Sequence, residues 1–197
     1  MHESQTLRIE RVHETPAHET AWTVAAYETP VSERMWVLTA TGATPAPVLE
    51  KLLRHLADGD GWDTAVGKPV DEKMVTAAAR PLSDVGWKHT TDGRWIRWAS
   101  PDGEAGVQFD AVTAQHSSHN LSTWTVWAGL KIDQPTWAVT ASPNTPSSLL
   151  FDLTETLAYE TGVRRRQPAG PERDSSFTTS PPAPRPIAAN SVSSRAR

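Results

Sequence analysis

The sequence predicts an α+β fold in which two related units each place a helix on an antiparallel sheet. Three observations support this prediction. First, Trp22–Ala26 and Trp36–Ala57 recur 101 or 102 residues later as Trp124–Ala128 and Trp137–Ala158, so one structural unit is used twice. Second, each copy alternates apolar and polar residues as a strand does and then changes to the spacing of an amphipathic helix. Third, the last 35 residues contain few large apolar side chains, which separates a tail from the two units.

Three strands and one helix are predicted for the first unit, residues 1–62. Thr44-Pro45 should open the helix, because a threonine hydroxyl can cap free amides and proline suits the first helical position. The helix should end at Asp58-Gly59, where glycine can adopt a left-handed conformation. The predicted strands are Leu7–Val12, one that begins at Trp22, and Met35–Ala40.

The second unit, residues 63–162, is predicted to contain a short helix, four strands and a longer helix. Asp71–Arg80 forms the short helix, which Pro81 should end or kink. Ser100-Pro101-Asp102-Gly103 has the composition of a tight turn between two strands. The last helix should begin after Thr145-Pro146 and end before Gly162. The predicted strands are Trp95–Ala99, Gly106–Val112 and two that begin at Trp124 and Trp137.

The composition narrows the classes of function. The 197 residues include no cysteine, which excludes a disulfide framework, thiolate metal ligands and thiol catalysis and fits a reducing cytoplasm. No apolar run is long enough to span a membrane, and the polar, acid-containing N-terminus differs from a signal peptide. We therefore expect a cytoplasmic protein.

Charge is distributed unevenly along the chain, whose formal net charge is −4. Residues 1–160 carry 12 basic and 21 acidic side chains, whereas residues 161–197 carry seven arginines and two acids. An acidic body does not attract phosphate backbones, so only the tail could do so. This tail, residues 163–197, is rich in proline and serine and is predicted to be disordered. Its Arg164-Arg165-Arg166 cluster is a candidate binding element.

Five segments carry a recognisable pattern: Gly86-Trp87, Trp98 through Gly103, the strand Val107–Asp110, the Trp124–Trp127 strand, and Trp137 through Pro146. Together they resemble the SPDY-motif family of actinobacteria, domain of unknown function 317. Gly103 stands where the family motif has its tyrosine. The resemblance implies an actinobacterial, cytoplasmic accessory protein, often built from paired units, and it implies nothing about catalysis.

Nine tryptophans are the most unusual feature of the composition. Four of them are matched by the repeat and should form core on the side of the sheet that faces the helix: Trp22, Trp36, Trp124 and Trp137. The opposite side then shows Trp95, Arg97 and Trp127, a candidate binding face. The alternative is that these side chains are buried, either between two units packed sheet to sheet or in a homodimer.

These residues predict a non-catalytic binding module whose partner is a protein or a second copy of the chain. The alternative is a single-stranded nucleic-acid-binding protein, because aromatic side chains on a sheet can stack unpaired bases and the basic tail could contact phosphates. No nucleophile elbow, phosphate-binding loop or dinucleotide motif occurs. No enzymatic activity and no cofactor are therefore predicted.

Histidines offer the remaining candidate chemistry. His116 and His119 could bind a metal together with Asp110 upstream, but they lie in a loop rich in serine and asparagine, where polar residues are expected without a metal. No metal site is predicted. His55 aligns with Thr156 in the repeat, and this interchange argues against catalysis at that position.

Overall fold

The structure, a computed structural model, describes residues 6–59, 70–115 and 121–166. Within these ranges the two units form one antiparallel sheet of eight strands. The alternative of two sheets packed face to face is therefore wrong, and the predicted α+β class is confirmed. The strands are β1 Leu7–Arg11, β2 Thr20–Tyr27, β3 Arg34–Thr41, β4 Lys88–Thr91, β5 Trp95–Ala99, β6 Ala105–Asp110, β7 Trp124–Ala128 and β8 Trp137–Ala141.

The order of the strands shows how the two units join. It runs β1-β2-β3-β8-β7-β6-β5-β4, so each unit contributes a meander and the two meanders meet where β3 pairs with β8. We call this pairing the seam. At the seam Leu38, Thr39 and Ala40 lie opposite residues of β8, and the continuous ladder makes the two meanders one sheet.

Three helices pack on one face of the sheet: α1 Ala46–Asp58, α2 Glu72–Asp84 and α3 Ser147–Arg166. Their apolar stripes and alternate strand residues, such as Trp36 and Val126, form a single core cluster, as the two-residue period of a strand requires. Removal of this apolar surface from water is the main favourable contribution to the fold. None of the described helices contributes to the other side of the sheet, which we call the open face.

An approximate twofold axis relates the two units across the seam. The repeat aligns Thr39 with Thr140, and their hydroxyl oxygens lie 2.8 Å apart. The repeat also aligns Lys51 of α1 with Asp152 of α3, and these side chains form an ion pair of 3.7 Å. Equivalent residues of the two units therefore contact each other both in the sheet and in the helical layer, as equivalent residues do on the axis of a symmetric dimer.

Hydrogen bonds beside the axis occur as matched pairs. The Val37 amide donates to the Ser142 hydroxyl at 3.0 Å. The equivalent Ala138 amide donates to the Thr41 hydroxyl at 3.1 Å. The chain is therefore an intramolecular pseudo-dimer, to which the second unit adds α2, β4 and β5 at one end of the sheet.

Several short-range predictions are confirmed by the backbone. Gly103 has a φ of +75°, and its amide donates to the Ser100 carbonyl at 2.9 Å, which closes the predicted turn. Gly59 follows α1 in the left-handed conformation. The predicted short helix is present and begins at Glu72, because Asp71 lies before it and accepts the Met74 amide at 2.7 Å.

Two helices extend further than the sequence indicated. α2 continues through Pro81 to Asp84, because Pro81 and the following Leu82 are buried and this burial favours another turn despite the missing amide. α3 continues past Gly162 to Arg166. The Arg164-Arg165-Arg166 cluster therefore forms the end of the helix instead of following it, and the rest of the predicted disordered tail lies outside the described residues.

Two local predictions are wrong. Thr44 does not cap α1, which begins at Ala46 without a side-chain cap, because the buried Thr44 hydroxyl contacts that of Thr41 at 3.3 Å. The described part of the second unit contains five strands and not four. The additional strand, β4, was missed because all four of its residues are exposed and show no apolar alternation.

Candidate functional site

The open face contains the three side chains that the sequence analysis selected. Trp95 and Arg97 lie on β5, opposite Asp110 and Gln108 of β6. Trp127 lies on β7, opposite Gly106 of β6. The structure thus places all three on the side of the sheet away from the helices, and their role in binding stays a prediction.

Two arginines contact the indole of Trp95. The guanidinium carbon of Arg94 lies 4.5 Å from the ring centroid and that of Arg97 lies 5.8 Å from it. Arg97 also donates from Nε to the Gln108 amide oxygen at 2.6 Å and forms an ion pair of 3.6 Å with Asp92. Cation–π and hydrogen-bond contacts of this kind fix side-chain rotamers. We call Arg94, Trp95 and Arg97 the indole–guanidinium cluster.

Asp110 anchors the indole–guanidinium cluster to the sheet. Arg94 donates two hydrogen bonds to one carboxylate oxygen, at 2.8 and 3.1 Å. The amides of Val112 and Thr113 and the Thr113 hydroxyl donate to the same carboxylate. Burial raises the pKa of Asp110, but hydrogen bonds from Arg94 and Thr113 and the charge of Arg94 outweigh burial and lower the pKa to about 2. Asp110 is therefore ionised at neutral pH, with its carboxylate occupied by protein donors.

Trp127 lies across the backbone of its neighbouring strand. A Cβ atom built on Gly106 would lie 2.2 Å from the six-membered ring of Trp127, so only glycine leaves room for the indole. In the first unit the equivalent pair is Arg8 opposite Ala25, where the large and small residues are exchanged between the strands. The sequence analysis did not identify Gly106, although a glycine inside a strand indicates close approach of another group.

The open face does not bring all three candidates into one cluster. Along β6, the partner of Trp95 and the partner of Trp127 are four residues apart, which corresponds to about 13 Å. Gln108 and Arg97 occupy the interval between the two indoles. The face therefore presents two aromatic positions joined by a polar strip.

Three of the four tryptophans assigned to the core are buried, whereas Trp22 is half-buried and packs against the core cluster. Trp36 and Trp124 are almost completely inaccessible to solvent, and Trp137 is 6% exposed. Trp98 stacks on Trp124 with ring centroids 6.5 Å apart. The repeat therefore separated these structural indoles from Trp95 and Trp127, which belong to the open face.

His55 has a structural position between two helices. Its Nδ1 lies 2.8 Å from an Asp152 carboxylate oxygen, and its Nε2 lies 3.4 Å from the Ser148 hydroxyl. This order of groups resembles a nucleophilic triad, but the serine contact is at the outer limit of hydrogen bonding. We interpret His55 as a link that joins α1 to α3 beside the Lys51–Asp152 ion pair.

The other sequence candidates do not contribute to the open face. His116 and His119 lie outside the described residues. Within the ranges that the structure describes, no group of three histidine, aspartate or glutamate side chains is arranged to hold a metal ion. Arg164-Arg165-Arg166 belongs to the last part of α3, which lies in the helical layer.

Comparison with known proteins agrees with the division into two units. A family model described as SPDY, domain of unknown function (DUF317), matches residues 3–62 and 99–163, more than half of the chain. No curated protein and no solved structure matches the chain. In the described part of the chain, no helix combines the length and apolar character needed to cross a membrane.

Proposed function

This chain belongs to the SPDY family, a domain of unknown function, and we propose that it is a non-catalytic binding module whose open face docks a protein partner. One observation carries the proposal: an aromatic and guanidinium surface lies on the side of the sheet opposite the described helices. Tryptophan and arginine dominate the energetically important positions of protein interfaces, because they combine large contact area with directional hydrogen bonds.

The geometry of the indole–guanidinium cluster supports protein binding. Trp95 is only partly buried, and Arg94 and Arg97 contact its indole. Asp110 and Gln108 in turn bind these two guanidinium groups. A surface whose rotamers are already fixed loses little side-chain entropy on association. Trp127 adds a second aromatic position on the same face, and the polar strip between them offers hydrogen bonds to a partner.

The electrostatics of the open face favour a protein over single-stranded nucleic acid. Arg94 is paired with Asp110 at 2.8 Å, and Arg97 is paired with Asp92. A guanidinium that is already neutralised contributes little to phosphate binding, which depends on releasing condensed counterions. Acidic side chains also outnumber basic ones in residues 1–160, and this net negative charge opposes the binding of a nucleic acid.

The experiment compares the full chain with a Trp95→Ala, Trp127→Ala double variant. Each protein is immobilised, and the proteins that it retains from a lysate of the source cells are quantified by mass spectrometry. We expect at least one protein to be retained by the full chain and depleted about tenfold or more by the double variant, as loss of two interface aromatics predicts. Sedimentation equilibrium tests in parallel whether that partner is a second copy of the chain.

The matched control is Tyr159→Ala, which removes an aromatic side chain that is 73% exposed on α3 in the helical layer. This variant should retain the same proteins as the full chain. Equal retention by the folded double variant would contradict the proposal. The nucleic-acid alternative would be supported instead if a labelled single-stranded oligodeoxythymidine bound the full chain with micromolar, salt-dependent affinity and the double variant did not bind it.

A further inference from the structure

A groove of about 720 Å³ lies where the two units meet, beside the loop between β7 and β8. Its apolar part is formed by Ala43 and Pro45 from the β3–α1 connection and by Trp137. Thr136, Glu104 and Lys131 contribute polar groups. This volume lies in the range of about 300–1,000 Å³ that small-molecule sites occupy.

The approximate twofold axis gives this groove a symmetry-related counterpart, and the counterpart is filled. The repeat aligns Ala43 with Asn144 and Thr136 with Met35. Asn144 donates to the Met35 carbonyl at 3.3 Å, and Met35 and Asn144 are 8% and 9% exposed. At the groove, Ala43 is half-buried and Thr136 is exposed.

The turn that leads into the helix is matched at the two sites, and the paired side chains beside it differ. The Thr44 amide donates to the Thr41 carbonyl at 3.1 Å, and the equivalent Thr145 amide donates to the Ser142 carbonyl at 3.2 Å. Asparagine and methionine close one copy, whereas alanine and threonine leave the other open. A tryptophan that borders an unfilled site lacks dispersion contacts on that side, and a bound ligand would supply them.

The charges at the groove indicate the chemistry of the occupant. Lys131 and Glu104 line the groove, and neither side chain forms an ion pair within the described part of the chain. A ligand that carries both an anionic and a cationic group would pair with both. The apolar lining adds a requirement for a hydrophobic body.

We propose that this groove binds a small zwitterion with an apolar side chain, the chemical class of the free apolar amino acids. The ligand carboxylate pairs with the Lys131 ammonium, and the ligand ammonium pairs with the Glu104 carboxylate. The apolar side chain lies against Trp137 and Pro45. This site is on the helical side of the sheet and is independent of the open face.

The test is a titration of the full chain with L-phenylalanine, followed by amide and indole NMR resonances. We expect shifts at Ala43, Gly129 and the Trp137 indole at millimolar concentration, with the open-face indoles unchanged. Lys131→Gln and Glu104→Gln should each weaken binding about fivefold, the size expected for a partly exposed ion pair. Lys73→Gln, which removes an exposed charge from α2, is the matched control and should leave the affinity unchanged.

The structural variant is Ala43→Asn combined with Thr136→Met, which transfers the closing residues of the filled site, Asn144 and Met35, into the open groove. This variant should lose phenylalanine binding while keeping its thermal unfolding midpoint. If it fails to fold, the two charge variants decide the question. Absence of shifts at millimolar ligand, shifts confined to other residues, or full affinity in the folded closing variant would overturn the proposal.

Two analogues test the zwitterion requirement. The compound 3-phenylpropionate lacks the ammonium group and 2-phenylethylamine lacks the carboxylate, so each should bind about fivefold more weakly than phenylalanine. Equal affinity of either analogue would show that the corresponding ion pair does not form and would overturn the assigned ligand class.

Discussion

The seam and the outer parts of the two units differ in how closely the repeat is preserved. At the seam Thr39 meets Thr140, and the hydrogen bonds on either side are matched within 0.1 Å, at 3.0 and 3.1 Å. Away from the seam the copies diverge. Arg8 opposite Ala25 in one unit corresponds to Gly106 opposite Trp127 in the other.

This difference shows where structural and functional constraints separate. Residues at the seam each serve two units, so a change there affects both halves of the sheet. Residues farther out are held by one unit alone and are free to specialise. The indole–guanidinium cluster lies in the second unit, which also contains the additional elements α2, β4 and β5.

The largest expected effect compares the equivalent core tryptophans. Trp36→Ala and Trp137→Ala should each reduce the free energy of unfolding by about 3–5 kcal/mol. Trp36 should cost more, because it is fully buried beside the filled site whereas Trp137 borders the open groove. Urea unfolding of both variants measures the difference, and an equal or larger loss for Trp137→Ala would contradict this view of the asymmetry.

A smaller effect is expected at the pair where the two units exchange large and small residues. Gly106→Val should reduce stability by about 1–3 kcal/mol, because the new side chain overlaps the Trp127 indole. Arg8→Val, at the equivalent exposed position of the first unit, should cost less, at most about 1 kcal/mol, because it removes only exposed contacts with the Tyr27 ring and the Pro30 carbonyl. Similar losses for the two variants would show that the indole is not held against Gly106.

The seam itself can be tested with a double-mutant cycle. Thr39→Val and Thr140→Val should each cost about 1 kcal/mol, because each removes one side of the same hydrogen bond. The double variant should cost little more than the larger single loss. Thr140→Val should be slightly more destabilising, since Thr140 also accepts from the Ser122 hydroxyl at 3.2 Å. Strictly additive losses would mean that the two hydroxyls do not interact.

The smallest effect concerns acid stability and involves only the second unit. The pKa of Asp110 is lowered from 3.8 to about 2 by folding, so the folded state binds this proton less readily than the unfolded state. Its stabilising contribution is complete above about pH 4 and is lost as the pH falls towards 2. The slope of stability against pH in this interval should be shallower for Asp110→Asn, and an unchanged slope would argue against the Arg94 contact.

The sequence predicted the features that depend on short-range patterns. The repeat located β2, β3, β7, β8, α1 and α3, and the Ser100–Gly103 turn followed from its composition. β4 has no apolar alternation, and the length of α2 depends on burial of Pro81 by tertiary packing. Such burial is set by other elements and is not encoded in the neighbouring residues.

The candidate sites, too, were only partly predictable from short-range sequence patterns. Alternation placed Trp95, Arg97 and Trp127 on one side of a sheet, but the distance between the two indoles depends on the register of β5, β6 and β7. The open groove could not be predicted, because it joins Ala43 of the first unit to Thr136 of the second. That neighbourhood follows only from the pairing of β3 with β8, whose residues are about 100 positions apart.

The seam also has a consequence for synthesis of the chain. During translation β3 emerges with an apolar edge, and its partner β8 follows roughly 100 residues later, after about 5–20 s at ordinary rates. Until then the edge can accept the same strand from another nascent or unfolded copy, since β8 of any copy fits it equally well. A domain-swapped dimer is therefore the natural by-product of this architecture, and rapid refolding at high protein concentration should enrich it relative to refolding at high dilution.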